Sequence, residues 1–222
     1  MRPIYIKPFE PYGKVPLCGS HFWGNPDLPE NFDYPTYTDE EGNEIDYQFV
    51  CQINLSEVAR YDSENRLPHK GLLLFFAKIY HYLGYYGDEI KSVSGYISDP
   101  DDVKVLYFPE VDAPGKEYNF SETVLVDAKD EPINPKELGI SFAEGRGRYD
   151  EDHALLAEPT HREWESWDTP YEDWQILLQV DSFSGKDFYL NFMDCGVLDF
   201  LISPEALADG RFDDVRAIVL ST

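Results

Sequence analysis

Cysteine is scarce in this sequence: three residues in 222, far apart and with no Cys-x-x-Cys spacing. That excludes a disulfide framework and offers no zinc cluster. Cys18, Cys51 and Cys195 stand beside apolar or small residues, so each is expected as a reduced core thiol. Positive charge is scarce as well. Eighteen Lys and Arg face 43 Asp and Glu, for a formal net charge of −25. A nucleic-acid binder must neutralise many phosphates, and no basic patch offsets the deficit here. Even "GRGRY" (Gly145–Tyr149) is followed at once by "DED". Nucleic acid and an anionic membrane surface are therefore not expected as partners.

Long apolar runs are also missing. The longest, "GLLLFFAKIY" (Gly71–Tyr80), falls short of the roughly 18–20 residues of a membrane helix and reads as a buried strand. The opening "MRPIYIKPFEPYGK" has no apolar signal region, which makes a cytoplasmic chain the expectation. The familiar chemical motifs are absent too. There is no phosphate-binding Gly-rich loop, no Gly-x-Ser-x-Gly elbow, no His-Glu-x-x-His pair and no complete calcium loop. His21, His69, His81, His153 and His161 show no metal-ligand spacing. No cofactor and no metal are expected, and nothing in the residues asks for catalysis. Carboxylate pairs are always available among so many acids, so they carry no weight.

What the chain does have is hydrophobic content of 42%, aromatics at 15%, and length enough for one large domain or two small ones. The acidity serves either solubility or attraction to a cationic partner such as a basic protein segment. The first fifty residues are punctuated by Pro3, Pro8, Pro11, Pro16, Pro26, Pro29 and Pro35, which predicts irregular or edge-strand structure. "YQFVCQINL" then reads as a strand, "NLSEVARYD" as a short helix capped by Asn54 or Ser56, and "GLLLFF" as a second strand. "VKVLYFP" and "ETVLVD" (Glu122–Asp127) read as strands; "NPKELG" (Asn134–Gly139) as a helical turn; "DEDHALLAEP" (Asp150–Pro159) as a short helix. Towards the end, "WQILLQVDS", "KDFYLNFMD", "GVLDFLIS" and "VRAIVLST" read as strands, with "SPEALADG" a capped helix before the last. The class is mainly β (α+β), with short helices.

Two segments echo each other. "FVCQINL" precedes "GLLLFF" as "ILLQVDS" precedes "GVLDFLI"; Gln52 stands 19 positions before Gly71 and Gln179 stands 17 before Gly196. A glutamine inside an apolar strand needs a hydrogen-bond partner when buried, so matching glutamines suggest a shared structural role. The reading is a degenerate duplication: two related β-rich halves, approximately 47–80 and 174–202, packed as one compact domain over 1–222.

Taken in order, "GNPDLPENFDYP", "FVCQINLSEV", "LPHKGLLLFF", "WQILLQVDS" and "GVLDFLIS" resemble the YwqG-like family of bacterial proteins. "HALLAEP" looks like a degraded form of that family's His-x-Leu-Leu-Gly-x-Pro segment, with Ala157 and Glu158 in the Gly-x places. The resemblance covers about half the chain, near Ser20–Phe76 and His153–Ile202, and leaves 92–152 unmatched. It implies a compact, mainly β fold without an established activity, and a distant relation to ribosomal-protein chaperones of the programmed-cell-death-2 type.

Two aromatic stretches are the candidates for a binding surface. In "SHFWGNPDLPENFDYPTY" (Ser20–Tyr37), Trp23 either covers a core edge or lines the rim of a groove, with the structural role weighed first. In "REWESWDTPYEDW" (Arg162–Trp174), Trp164 and Trp167 either anchor a loop or meet a basic peptide through cation–π and charge contacts. The expected function is a non-catalytic protein-binding module, chaperone-like or immunity-type, for a basic protein or peptide. The rival expectation is a small-molecule-binding or hydrolytic protein whose pocket between the halves is lined by Gln52, Asn54, Gln179 and Asp181.

Overall fold

A computed structural model describes residues 2–78, 95–111, 119–127, 129–133, 136–148, 150–159, 170–186 and 188–221. Strands dominate. In chain order they are β1 (Ile4–Phe9), β2 (His21–Trp23), β3 (Asp27–Pro29), β4 (Thr36–Thr38), β5 (Glu44–Asp46), β6 (Gln48–Asn54), β7 (Leu72–Ala77) and β8 (Val103–Phe108). There follow β9 (Phe120–Glu122), β10 (Glu137–Ala143), β11 (Ala154–Leu155), β12 (Gln175–Asp181), β13 (Phe183–Gly185), β14 (Phe188–Leu190), β15 (Val197–Ile202) and β16 (Val215–Leu220). Two short helices complete the described elements: α1 (Leu55–Val58) after β6 and α2 (Pro204–Ala208) after β15. The chain is mainly β with short helices, as its composition and periodicity predict.

The chain divides into two compact units: Met1–Lys7, Lys78–Val103 and Phe142–Thr222 form one, and Pro8–Ala77 with Lys104–Ser141 the other. In the first, which we call the C-terminal unit, strands lie in the order β16-β15-β12-β11-β1. In the second, the N-terminal unit, the order is β10-β2-β6-β7-β8. Each unit thus takes one strand from the other half of the sequence. The N-terminal β1 pairs antiparallel with β11 through Ile4↔Leu155 and Tyr5↔Ala154. The late β10 pairs antiparallel with β2 through Leu138↔Phe22 and Gly139↔His21.

The inner strands have the same burial signature. β6 and β12 are buried along their whole interior, and every residue of β7 and β15 is buried. Both faces are covered, which is why these strands read as continuous apolar runs rather than alternating ones. β6 and β7 pair antiparallel, as do β12 and β15. A glycine opens each second strand. A Cβ on Gly71 would stand 2.4 Å from the Phe108 carbonyl oxygen, and one on Gly196 2.1 Å from that of Leu220. No other residue fits so near a backbone.

The N-terminal unit packs Leu28, Tyr47, Phe49, Leu72, Leu74, Phe76, Phe108 and Phe120 together, with Tyr34 edge-on to Phe76 and Phe108 edge-on to Phe120. Each buried ring is worth about 1.5–3 kcal/mol, so this aromatic cluster is a principal source of stability. In the C-terminal unit Ile176, Val197, Leu201, Ile218 and Leu220 pack with Ala154 and Ala157, and Tyr171 and Trp174 lean against them.

Several local readings are corrected. Glu137–Gly139 belong to strand β10, not to a helical turn, because Leu138 and Ile140 bury one face at period two. Residues 150–159 form no helix; Ala154–Leu155 is a strand held on both sides by β1 and β12. The strand read over Glu122–Asp127 instead ends at Glu122, and Asp127 accepts the Lys129 and Glu131 amides in a turn. Within the proline-rich arm, β2 is a central strand between β10 and β6. Cys18 and Cys51 are buried, but Cys195 is exposed, in a turn with positive φ.

Candidate functional site

The residues named from the sequence fall into matched sets. In the N-terminal unit, buried Gln52 donates through Nε2 to the Gly19 carbonyl (2.9 Å) and to Asp27 Oδ2 (2.7 Å), while its Oε1 accepts the Asp27 amide (2.9 Å). Asp27 Oδ2 also accepts the Cys18 amide at 2.7 Å. Two residues on, the Asn54 amide donates to Ser20 Oγ at 2.9 Å. Its side-chain nitrogen donates to the Cys18 carbonyl at 2.9 Å, and its Oδ1 caps α1 by accepting the Ser56 amide at 3.0 Å.

The C-terminal unit repeats this arrangement. Buried Gln179 donates through Nε2 to the Asp152 carbonyl at 2.7 Å, and the Asp181 amide donates to His153 Nδ1 at 2.9 Å. Asp152 therefore stands where Gly19 does, His153 where Ser20 does, and Asp181 where Asn54 does. Backbone bonds agree: the Ile140 amide donates to the Ser20 carbonyl (3.1 Å) and the Ile6 amide to that of His153 (2.8 Å). The copies differ in how fully the glutamine is used. Gln179 Oε1 is buried without a hydrogen-bond partner among the described residues, whereas both ends of Gln52 are paired. These glutamines spend their donors on the fold.

Trp23 sits just beyond this set, half-buried at the end of β2, with its ring tilted on Phe22 at 5.1 Å. Its backbone lies in the left-handed region (φ 51°), and Gly24 follows at φ 76°. A bulky residue there is strained, but Leu156 has the same φ at the matching place of the other unit. The strain therefore belongs to the repeated turn. His21 Nδ1 closes that turn, 2.6 Å from the Trp23 carbonyl oxygen, as a donor in the tautomer this contact requires. Trp164 and Trp167 lie outside the described residues.

A concave site in the described structure lies elsewhere in the N-terminal unit, and the sequence reading missed it. A cleft of about 280 Å³ is bounded by Glu10, Lys14, Asn25, Glu122, Lys136 and Glu137, with Pro11, Gly13 and Gly24 between them. Glu122 receives Lys14 Nζ on both oxygens (2.7 and 2.9 Å) and Asn25 Nδ2 on one (2.8 Å). Asn25 is itself held by the Leu125 amide, which donates to its Oδ1 at 3.2 Å. Glu137 accepts the Val15 amide at 2.7 Å and lies flush on Gly24, where a Cβ would come 3.0 Å from its own. Lys136 pairs with Glu10 at 2.5 Å. The hydrogen bond and charge of Glu122 raise the Lys14 ammonium above its ordinary value. Lys14 and Asn25 in turn hold the Glu122 carboxyl below its own, with a smaller contribution from the His21 ring. The only signal in the sequence was Asn25 and Gly24 within "GNPDLP"; Lys14 and Glu122 lie too far apart for any spacing to join them.

The described residues contain no group of three His, Cys, Asp or Glu able to hold a metal ion. None of their helices is long and apolar enough to cross a membrane. What the described residues offer is a mainly β scaffold with two matched hydrogen-bond sets and, in the N-terminal unit, a charged cleft. Residues 20–219 match the family model described as Domain of unknown function (DUF1963), and the chain belongs to that family. No curated protein matches the sequence.

The unequal glutamines lead to a stability prediction. Gln52→Ala strands the Asp27 amide and the Gly19 carbonyl and should cost about 3 kcal/mol or more; Gln179→Ala strands the Asp152 carbonyl and should cost about 1–2 kcal/mol. Cavity costs are alike, so the difference in urea-unfolding free energy isolates the hydrogen bonds, and equal losses would contradict the assignment.

A second prediction concerns pH. Burial drives the His153 imidazole from 6.5 down to about 3, so the folded chain keeps it neutral while the unfolded chain protonates it. Its stabilising contribution is complete above pH 6.5 and is lost as pH falls towards 3, by about 2 kcal/mol at pH 5. Desolvation raises the Asp181 carboxyl, which acts oppositely over a window just above the ordinary carboxylate range. His153→Asn keeps an acceptor for the Asp181 amide. Urea titrations from pH 7 to pH 5 should show a flatter stability profile for this variant; an unchanged slope would remove His153 as the source.

Proposed function

We propose that this protein is a non-catalytic binding module for a basic polypeptide, acting in the cytoplasm as a chaperone-like or immunity-type neutralising factor. The observation that carries the reading is the net charge of −25 on a mainly β chain. Acidic side chains are held out at fixed positions: Glu40, Glu41, Glu44 and Asp46 are exposed on the β4–β5 hairpin, whose turn Asp39 pins by accepting the Glu41 and Asn43 amides. Such a field steers a cationic partner and raises its rate of encounter. Exposed Phe9, Tyr12, Leu17 and Phe32 in the same unit supply apolar anchors. Three free cysteines suit a reducing compartment.

The resemblance to YwqG-like proteins, and through them to programmed-cell-death-2-type ribosomal-protein chaperones, supports the same reading. Trp23, Trp164 and Trp167 are the aromatic residues proposed to take part. A second reading is a small-molecule-binding or hydrolytic protein, and the cleft of about 280 Å³ in the N-terminal unit is a place to seek its polar ligand.

Capture from native lysate on the immobilised protein, with washes at stepped salt, tests the first reading. Basic proteins should be retained and released as salt rises from ~0.1 to ~0.5 M, where screening shortens the reach of surface charge. Trp23→Ala should release them at lower salt. Retention of acidic proteins, or of none at low salt, would contradict the proposal.

A further inference from the structure

We propose that the cleft of the N-terminal unit is the pocket for a lysyl or arginyl side chain of the basic partner, and that Lys14 occupies it as an internal stand-in until the partner arrives. The inference rests on the basic-polypeptide reading above and gives it a place and a mechanism.

The cleft is built to hold carboxylates in position independently of its own lysines. Glu122 is oriented from behind by the Asn25 amide group, which the Leu125 amide fixes in turn. Glu137 is oriented by the Val15 amide and by its contact with Gly24. Neutral donors therefore aim both acids, and their charge is left for a cation. The cation now present is Lys14, whose Nζ meets both oxygens of Glu122. It also feels Glu137 and the buried Asp27. Yet its side chain is 76% exposed, against 34% for Glu122, so only the tip of the lysine is engaged.

An ion pair so open to water contributes little and exchanges readily. A partner's ammonium or guanidinium meets the same acceptors, and a guanidinium engages a carboxylate in two parallel hydrogen bonds. The space is sufficient: about 280 Å³ equals about nine liquid waters and holds one long side chain. Exposed Tyr12 stands in the chain between lining residues Pro11 and Gly13 without itself lining the cleft. Lys136 is committed to Glu10 and shields the cleft less than it shapes it. Counting Glu10, Glu122 and Glu137 against Lys14 and Lys136, the occupied cleft is nearly neutral, and displacement of Lys14 exposes net negative charge.

The stand-in makes two substitutions act in opposite directions, which distinguishes it from diffuse attraction. Fluorescein-labelled, N-acetylated octalysine and octaarginine serve as probes, measured by anisotropy at ~50 mM salt. Lys14→Ala should tighten binding about two- to fivefold. Glu122→Gln should weaken it at least fivefold. Glu64→Gln, an equal change of charge at an exposed position outside both the cleft and the β4–β5 hairpin, should leave affinity within about twofold. Circular dichroism and thermal unfolding confirm that each variant is folded.

If the peptides bind but Lys14→Ala weakens or does not alter binding, the stand-in is overturned while the basic-partner reading survives. If Glu64→Gln matches Glu122→Gln, attraction is spread over the surface and the cleft assignment falls alone. If neither wild type nor Lys14→Ala binds either peptide, both readings fail. N-acetyl-lysine methylamide binding as tightly as octalysine would also overturn the assignment to a polypeptide.

Discussion

One buried glutamine per unit holds this fold together. β6 and β12 are interior strands with no access to water, so an amide side chain there must find partners within the protein. Gln52 and Gln179 find them in the segment leading into the adjacent short strand. Each donates to a carbonyl one residue before the position whose side chain accepts an amide two residues beyond the glutamine. Because the donor is on one segment and the acceptor on the next, the contact fixes register. A one-residue slip would turn the glutamine to the opposite face, away from both of these partners. The positive-φ residues Trp23 and Leu156, both at φ 51°, follow from the same registration.

The two matched sets are uneven in an informative way. The C-terminal unit has His153 where the N-terminal unit has Ser20, and it leaves one glutamine oxygen without a described partner. In the N-terminal unit Asp27 completes the set, with Gln52 and the Cys18 amide both on its carboxylate oxygen. Cys18 begins where the arm that carries Lys14 and Val15 ends. The buried polar set and the charged cleft are thus neighbours along one stretch of chain, and the segment that registers β6 also presents the cleft. The buried polar set does not itself line the cleft; Glu122 and Glu137 do, each held by a neutral donor.

Much of this was legible in the amino acids. Strands β6, β7, β12, β15 and β16 and both helices follow from apolar runs, Asn54 and Ser203 caps, and Pro204 at the first helical turn. The echo of Gln-x-Asn with Gln-x-Asp, each ahead of a strand-opening glycine, falls on the two matched hydrogen-bond sets. Local signals misled where distant pairing decided the outcome. The Asn-Pro beginning and Gly end of "NPKELG" mimic a helical turn, yet Leu138 and Ile140 gain more by burial in β10 beside β2. The acids ahead of "HALL" mimic a helix N-terminus, yet Asp150 pairs with Lys7 and Ala154–Leu155 lies between two strands. The cleft was illegible for a related reason: Lys14, Glu122 and Glu137 converge through strand exchange between sequence halves, which no short-range pattern records.

The account stands or falls on where a basic polypeptide meets the N-terminal unit. Titration of isotope-labelled protein with octalysine, followed through backbone amide shifts, maps that contact directly. The account predicts the largest shifts at Val15, Asn25, Glu122, Leu125 and Glu137, with smaller ones on the β4–β5 hairpin. Shifts centred on Glu40–Glu44, or none at any concentration, would contradict it.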